Sequence, residues 1–112
     1  MITTAAAAVL LLGVAAPAQA RAETYKYPGT SISWQANGEI LTVKDTRRDG
    51  RFIYPMGQFK GSNEYLTPHC STRGRTSRRC DYSVAEGRKI IFWVYSVKDS
   101  DMRKIGEFTV TA

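Results

Sequence analysis

The chain has 112 residues, a formal net charge of +6 and twelve aromatic side chains, all of them after residue 20. That length suits one small domain with a modest single core and excludes a multidomain architecture. A single histidine and two cysteines, if the cysteines are bridged, exclude a zinc site and leave no metal or other cofactor to expect.

Residues 1–20 carry no charged side chain, run apolar from Ala5 to Ala16 and end in Ala18-Gln19-Ala20. The small-x-small ending marks a signal-peptidase site, and the apolar stretch is too short to anchor stably in a bilayer. The usual Lys or Arg before the apolar run is missing. The expectation is a signal peptide over 1–20 and a secreted, extracellular β domain over 21–112, with no transmembrane segment once the leader is removed. Export to an oxidising compartment agrees with a Cys70–Cys80 disulfide. A ring of about eleven residues would stabilise by roughly 2.5–3 kcal/mol.

The segment from Arg21 to Gly29 reads as an edge strand or a loose arm. It holds Tyr25 and Tyr27 and closes on Pro28-Gly29. Asn37-Gly38 is a strong hairpin signal for Thr30 to Lys44, because a type I′ turn needs positive φ at both central positions. A hairpin centred there sets Trp34 opposite Leu41 and Ile32 opposite Val43 on one face. Ser31, Ser33, Gln35, Thr42 and Lys44 fall on the other, the pattern of a half-buried pair. Asp45 to Gly50 turns the chain into a strand from Arg51 to Tyr54, which Pro55 confines to an edge or ends. Gly57, Gly61 and Ser62-Asn63 fragment the stretch from Met56 to Leu66, suggesting short strands near Gln58–Lys60 and Glu64–Thr67.

Cys70 to Cys80 contains Arg73, Arg75, Arg78 and Arg79, so four of the six net positive charges sit in one short stretch. It reads as a cationic loop pinned at its base. A short strand, Asp81 to Val84, then leads through Glu86-Gly87 into Arg88 to Lys98, whose β-branched and aromatic residues occupy both alternating sets. If Val97 and Arg103 close the next turn, Ile90, Phe92 and Val94 share a face with Phe108 and Val110. Ile91, Trp93 and Tyr95 then share the opposite face with Ile105 and Glu107. With no helical periodicity and turns every eight to twelve residues, the expected fold is all-β. It is a single-domain antiparallel β-sandwich, Ig-like, or a small barrel, with one disulfide-bridged basic loop.

The alanine-rich leader, the run Leu41-Thr42-Val43-Lys44-Asp45-Thr46-Arg47-Arg48-Asp49-Gly50-Arg51, Cys80, the Val84-Ala85-Glu86-Gly87 turn, the Ile90–Val97 strand and the end at Thr109-Val110-Thr111-Ala112 form a recognisable series. In that order they resemble a group of small secreted β-proteins of high-GC Gram-positive bacteria, of unestablished function. The resemblance covers most of residues 21–112 and implies the fold and export. Members of the group often carry a cysteine at the position of Lys44 and another near Tyr95. This chain has neither, so a second bridge is absent.

Four guanidiniums on a tethered loop suit an anion site, with bidentate geometry available to phosphate, sulfate or carboxylate. Anionic partners outside a cell include teichoic acids, extracellular nucleic acid, acidic polysaccharide and lipid headgroups. The plain alternative is a solvated loop that keeps the protein soluble. Arg47, Arg48 and Arg51 form a second basic group, largely offset by Asp45 and Asp49. The bridged loop also suits a proteinaceous inhibitor offering an arginine to a secreted trypsin-like protease.

Trp93 and Tyr95 with Ile91 and Ile105 are either an aromatic platform, for sugar rings or for dimerisation, or, more commonly for such a strand, part of the core. His69 with Glu64 or Glu86 and the arginines would be the minimum for a small nuclease. No nucleophile motif or glycine-rich phosphate loop is present, so catalytic residues are not assigned. The leading expectation is a monomeric or weakly dimeric, non-catalytic binding module for an anionic surface or polymer.

Overall fold

The computed structural model describes residues 22–112; the leader expected over 1–20, together with Arg21, lies outside the described residues. Seven strands succeed one another: β1 (Ala22–Tyr27), β2 (Thr30–Gln35), β3 (Ile40–Asp45), β4 (Phe52–Phe59), β5 (Ser77–Asp81), β6 (Lys89–Lys98) and β7 (Asp101–Thr111). They form two antiparallel sheets, ordered β1-β2-β3-β5 and β4-β6-β7, which pack as a sandwich. The four-plus-three partition is that of an Ig constant-type sandwich. Here the third strand stays in the first sheet and the fourth makes the crossing.

Alternation decides the layers. Ile32 and Trp34 of β2, Leu41 and Val43 of β3, Ile53 and Phe59 of β4, Ile90, Phe92 and Val94 of β6, and Phe108 and Val110 of β7 point between the sheets and are buried. Each such side chain contributes about 1.5–3 kcal/mol by leaving water. A chain of rings crosses the core, with Trp34 at 6.0 Å from Phe92, Phe92 at 5.1 Å from Phe108, and Tyr25 stacked 4.1 Å from Phe108. That last contact holds the β1 edge, the strand form of the Arg21–Gly29 segment, against β7.

The β2–β3 register is the expected one, with Trp34 facing Leu41 and Ile32 facing Val43. Its turn differs from type I′: positive φ falls on Gly38 and Glu39, and the Glu39 N–H donates to Ala36 O at 3.1 Å. β4 runs unbroken through Pro55 and Gly57, correcting the expected fragments at Gln58–Lys60 and Glu64–Thr67. Ile53 and Gly57 direct backbone groups away from β6, to Thr72 and Leu66, so the missing N–H of Pro55 falls on the outer edge of an edge strand. Gly57 is required by packing, since a Cβ there would lie 2.7 Å from Phe92 Cε1. The Glu64–Thr67 segment contributes only a bridge from Tyr65 to Gln58.

Two further corrections concern the C-terminal half. β5 starts at Ser77, inside the bridged stretch, and not at Asp81; its register sets Cys80 opposite Leu41 and Arg78 opposite Val43. β6 and β7 pair as expected from Ile90↔Val110 to Val94↔Gly106. A bulge between Val94 and Tyr95 then shifts the pairing, so Tyr95 faces Lys104 and the hairpin closes at Lys98↔Asp101. Ile105 is left out of the pairing and packs against the core instead of joining Trp93 on the outer face.

Candidate binding faces

The bridged stretch is mostly anchored. Cys70 and Cys80 are joined with their Cα atoms 5.9 Å apart, and both are buried. Thr72, 1% exposed, donates its N–H to Ile53 O at 3.0 Å and accepts the Ile53 N–H on its hydroxyl at 2.9 Å. The Arg75 N–H donates to Thr72 O at 2.9 Å, closing a turn with Gly74 at a φ of 78°, and the Arg73 N–H donates to Ser71 Oγ at 3.0 Å. What projects is a short turn, Arg73 to Thr76, rather than a finger spanning both cysteines.

The four arginines consequently separate. The Arg73 guanidinium lies over the Phe52 ring, 5.8 Å from its centroid. Arg75 is exposed on the turn and joins no ion pair among the described residues. Arg78 shares the inward parity of Cys80, is half-buried, and lies near Tyr82. Burial pushes the Tyr82 phenol up to about 12, an effect that the Arg78 charge opposes; the hydroxyl donates to Pro68 O at 2.6 Å. Arg79 points outward and pairs with Asp81 at 3.3 Å, both groups well exposed. The strands therefore do not bring the four together as one cluster. The inhibitor reading needs an extended arginine whose backbone is open to a protease, whereas Thr72–Arg75 is a closed turn and Arg78 and Arg79 are already paired to Val43 and Thr42 of β3.

The outward half of the four-stranded sheet forms a surface that no single segment reveals. The registers align Lys26, Ser31, Lys44 and Ser77 in one row and Thr24, Ser33, Thr42 and Arg79 in the next. A third row, Ala22, Gln35, Ile40 and Asp81, supplies the one carboxylate, which is held by Arg79. Lys26 and Lys44 are exposed and join no ion pair among the described residues. The polar alternation of β2 and β3 was visible in the sequence. The membership of Lys26 and Arg79 was not, because it depends on which strands are neighbours.

The outward half of the three-stranded sheet is the opposite in character. Tyr54 faces Tyr95, Met56 faces Trp93, Gln58 faces Ile91, and Phe52 faces Val97. Lys104 and Glu107, paired at 2.8 Å, flank this strip from β7. Val97 is buried yet stands apart from the core cluster, opposite Phe52. Trp93 and Tyr95 are half-buried on the outer surface, outside the inter-sheet core that is commoner for such residues. Tyr54 and Met56 complete the strip and were missed because Pro55 and Gly57 disguise the alternation of β4.

His69 meets Tyr54 edge-on at 5.2 Å between centroids, and its Nδ1 is buried without a hydrogen-bond partner. Glu64 pairs with Arg88 at 3.5 Å, and Glu86 is exposed near the β6 turn. No hydrogen bond or ion pair joins His69 to either carboxylate among the described residues, which also hold no metal-binding group of three His, Cys, Asp or Glu side chains. No described helix is long and apolar enough to cross a membrane. The chain matches no protein-family model, no curated protein and no solved structure.

Proposed function

We propose that the protein is an exported, non-catalytic binding module that engages an anionic polymer or surface. The ligand lies across the outer face of the four-stranded sheet and reaches Arg75 on the adjoining turn. The observation that carries this reading is the pair of rows in which Lys26, Lys44 and Arg79 are separated only by serine and threonine hydroxyls. Ammonium and guanidinium groups supply the attraction, and hydroxyls donate to the phosphate, sulfate or carboxylate oxygens between them. An exposed charge contact is weak alone, so affinity comes from several contacts made at once along a repeating anion and falls as salt rises.

Retention on heparin–agarose and on a teichoic-acid resin, eluted with a sodium chloride gradient, tests the proposal. A Lys26→Ser/Lys44→Ser/Arg79→Ser variant elutes at clearly lower salt than the parent, and adding Arg75→Ser lowers it again. These positions are exposed, so the circular dichroism of the folded state stays unchanged. Unaltered elution of the triple variant on both resins overturns the proposed face.

A further inference from the structure

The outer face of the three-stranded sheet carries a groove with built walls. One wall is Trp93, with Ile91 beside it. The other is the turn at the end of β4. There the Phe59 N–H donates to Glu64 O at 3.0 Å, the Ser62 N–H donates to Phe59 O at 3.1 Å, and the Glu64 N–H donates to Ser62 Oγ at 2.9 Å. Gly61, with a φ of 79°, lets the turn close. Gln58 ties the walls together by donating its side-chain Nε2 to Ser62 O at 2.8 Å, and its Oε1 accepts no hydrogen bond among the described residues. The groove is shallow and open to solvent, with a volume of about 420 Å³, and the exposed Lys60 and Asn63 stand at its rim. The side-chain amide of Asn63 makes no hydrogen bond among the described residues.

We propose that this groove and the Trp93–Tyr95 strip bind a linear polysaccharide through its sugar rings. A sugar ring presents apolar C–H groups on its faces and hydroxyls around its rim. Half-exposed aromatic side chains beside free amide groups match both halves of that chemistry. Trp93 and Tyr95 are two residues apart on one strand, about 6.8 Å, so they serve neighbouring parts of an extended chain. Gln58 Oε1, the Asn63 amide and the Lys60 ammonium take the hydroxyls at the groove end. The closed turn keeps the site formed before the ligand arrives, which lowers the ordering cost of binding.

The size of the face favours this occupant over a second copy of the protein. Three strands and four outward positions per strand give a strip of about 14 by 26 Å, about 350 Å², against about 800 Å² per partner in a stable protein complex. A chain one sugar wide fits such a strip. The cationic face lies on the other sheet and contributes nothing to this groove. Saccharide binding is therefore insensitive to salt while heparin retention is not, so the failure of one leaves the other standing.

The chain has two tryptophans, of which Trp34 is 1% exposed and Trp93 is half-buried on the surface. Acrylamide quenching in high salt therefore reports chiefly on Trp93. The probes are cellohexaose, chitohexaose, laminarihexaose and mannohexaose. At least one protects Trp93 from acrylamide and shifts its emission to the blue, and isothermal titration calorimetry of that sugar gives a saturable signal. Trp93→Ala abolishes the calorimetric signal. Asn63→Ala, on an exposed turn where folding is not at stake, weakens affinity about five- to tenfold. Three results overturn the proposal: no response to any of the four sugars, unchanged affinity in both variants, or sedimentation showing a dimer whose formation itself protects Trp93.

Discussion

Gly106 lets β1 close against β7. It pairs with Val94 at the bulge, and a Cβ at this position would overlap the Tyr27 ring. That ring stacks 6.5 Å from Phe108, and its hydroxyl donates to Glu107 O at 3.4 Å. Gly106→Ala therefore displaces Tyr27 and loosens the β1 edge. Overpacking of this kind costs about 1–3 kcal/mol, to be read as a lower urea midpoint at unchanged m. A Tyr27→Ala background removes the obstacle, so the second substitution costs clearly less there than alone. Equal losses in both backgrounds would show that the ring and the glycine are not coupled.

At the scale of the element, β4 depends on a clamp that is not a strand. Its outer edge is served by Thr72, whose backbone and hydroxyl both bond Ile53, and Thr72 is held two residues from the Cys70 bridge. Thr72→Val keeps the shape and removes the acceptor, leaving the buried Ile53 N–H unpaired at a cost of about 1–3 kcal/mol. Hydrogen exchange should show the Ile53 amide losing protection well before those of β6; unchanged protection there would count against the clamp. The disulfide thus secures a sheet edge as well as a loop.

Pro55 and Gly57 explain why this strand was hard to read. Both are local breakers, tolerated because the missing N–H of Pro55 falls on the outer edge, away from β6, and Gly57 lies beneath Phe92, facts of tertiary placement that no window of sequence contains. The β2–β3 register, by contrast, was legible because its partners are local and one glycine-containing turn connects them. β5 was hidden because arginines surround its inward residues, and only pairing with β3 distinguishes Arg78, half-buried, from Arg75, exposed.

For the molecule as a whole, the sheet order turns a basic stretch into a distributed surface. Arg73 reaches the aromatic side at Phe52, Arg79 joins Lys44 and Lys26 on the opposite side, and the core lies between. Composition and alternation identified the arginines, Lys44, Trp93 and Tyr95 but not Lys26, Tyr54 or Met56, and a long-range neighbour relation decided which of them share a face. Packed sheets stand about 10 Å apart, and the two outer surfaces are farther apart still. Sites at that separation with no shared partner usually add within about 0.3–0.5 kcal/mol. The two proposed faces should therefore act independently. Trp93→Ala leaves heparin elution unchanged, and the Lys26→Ser/Lys44→Ser/Arg79→Ser variant keeps its affinity for the sugar that binds. Protein held on heparin–agarose still takes up that oligosaccharide, so one molecule bridges two polymers. If Trp93→Ala lowers the eluting salt as far as the triple variant does, the ligand wraps a single continuous surface and the two-faced description fails.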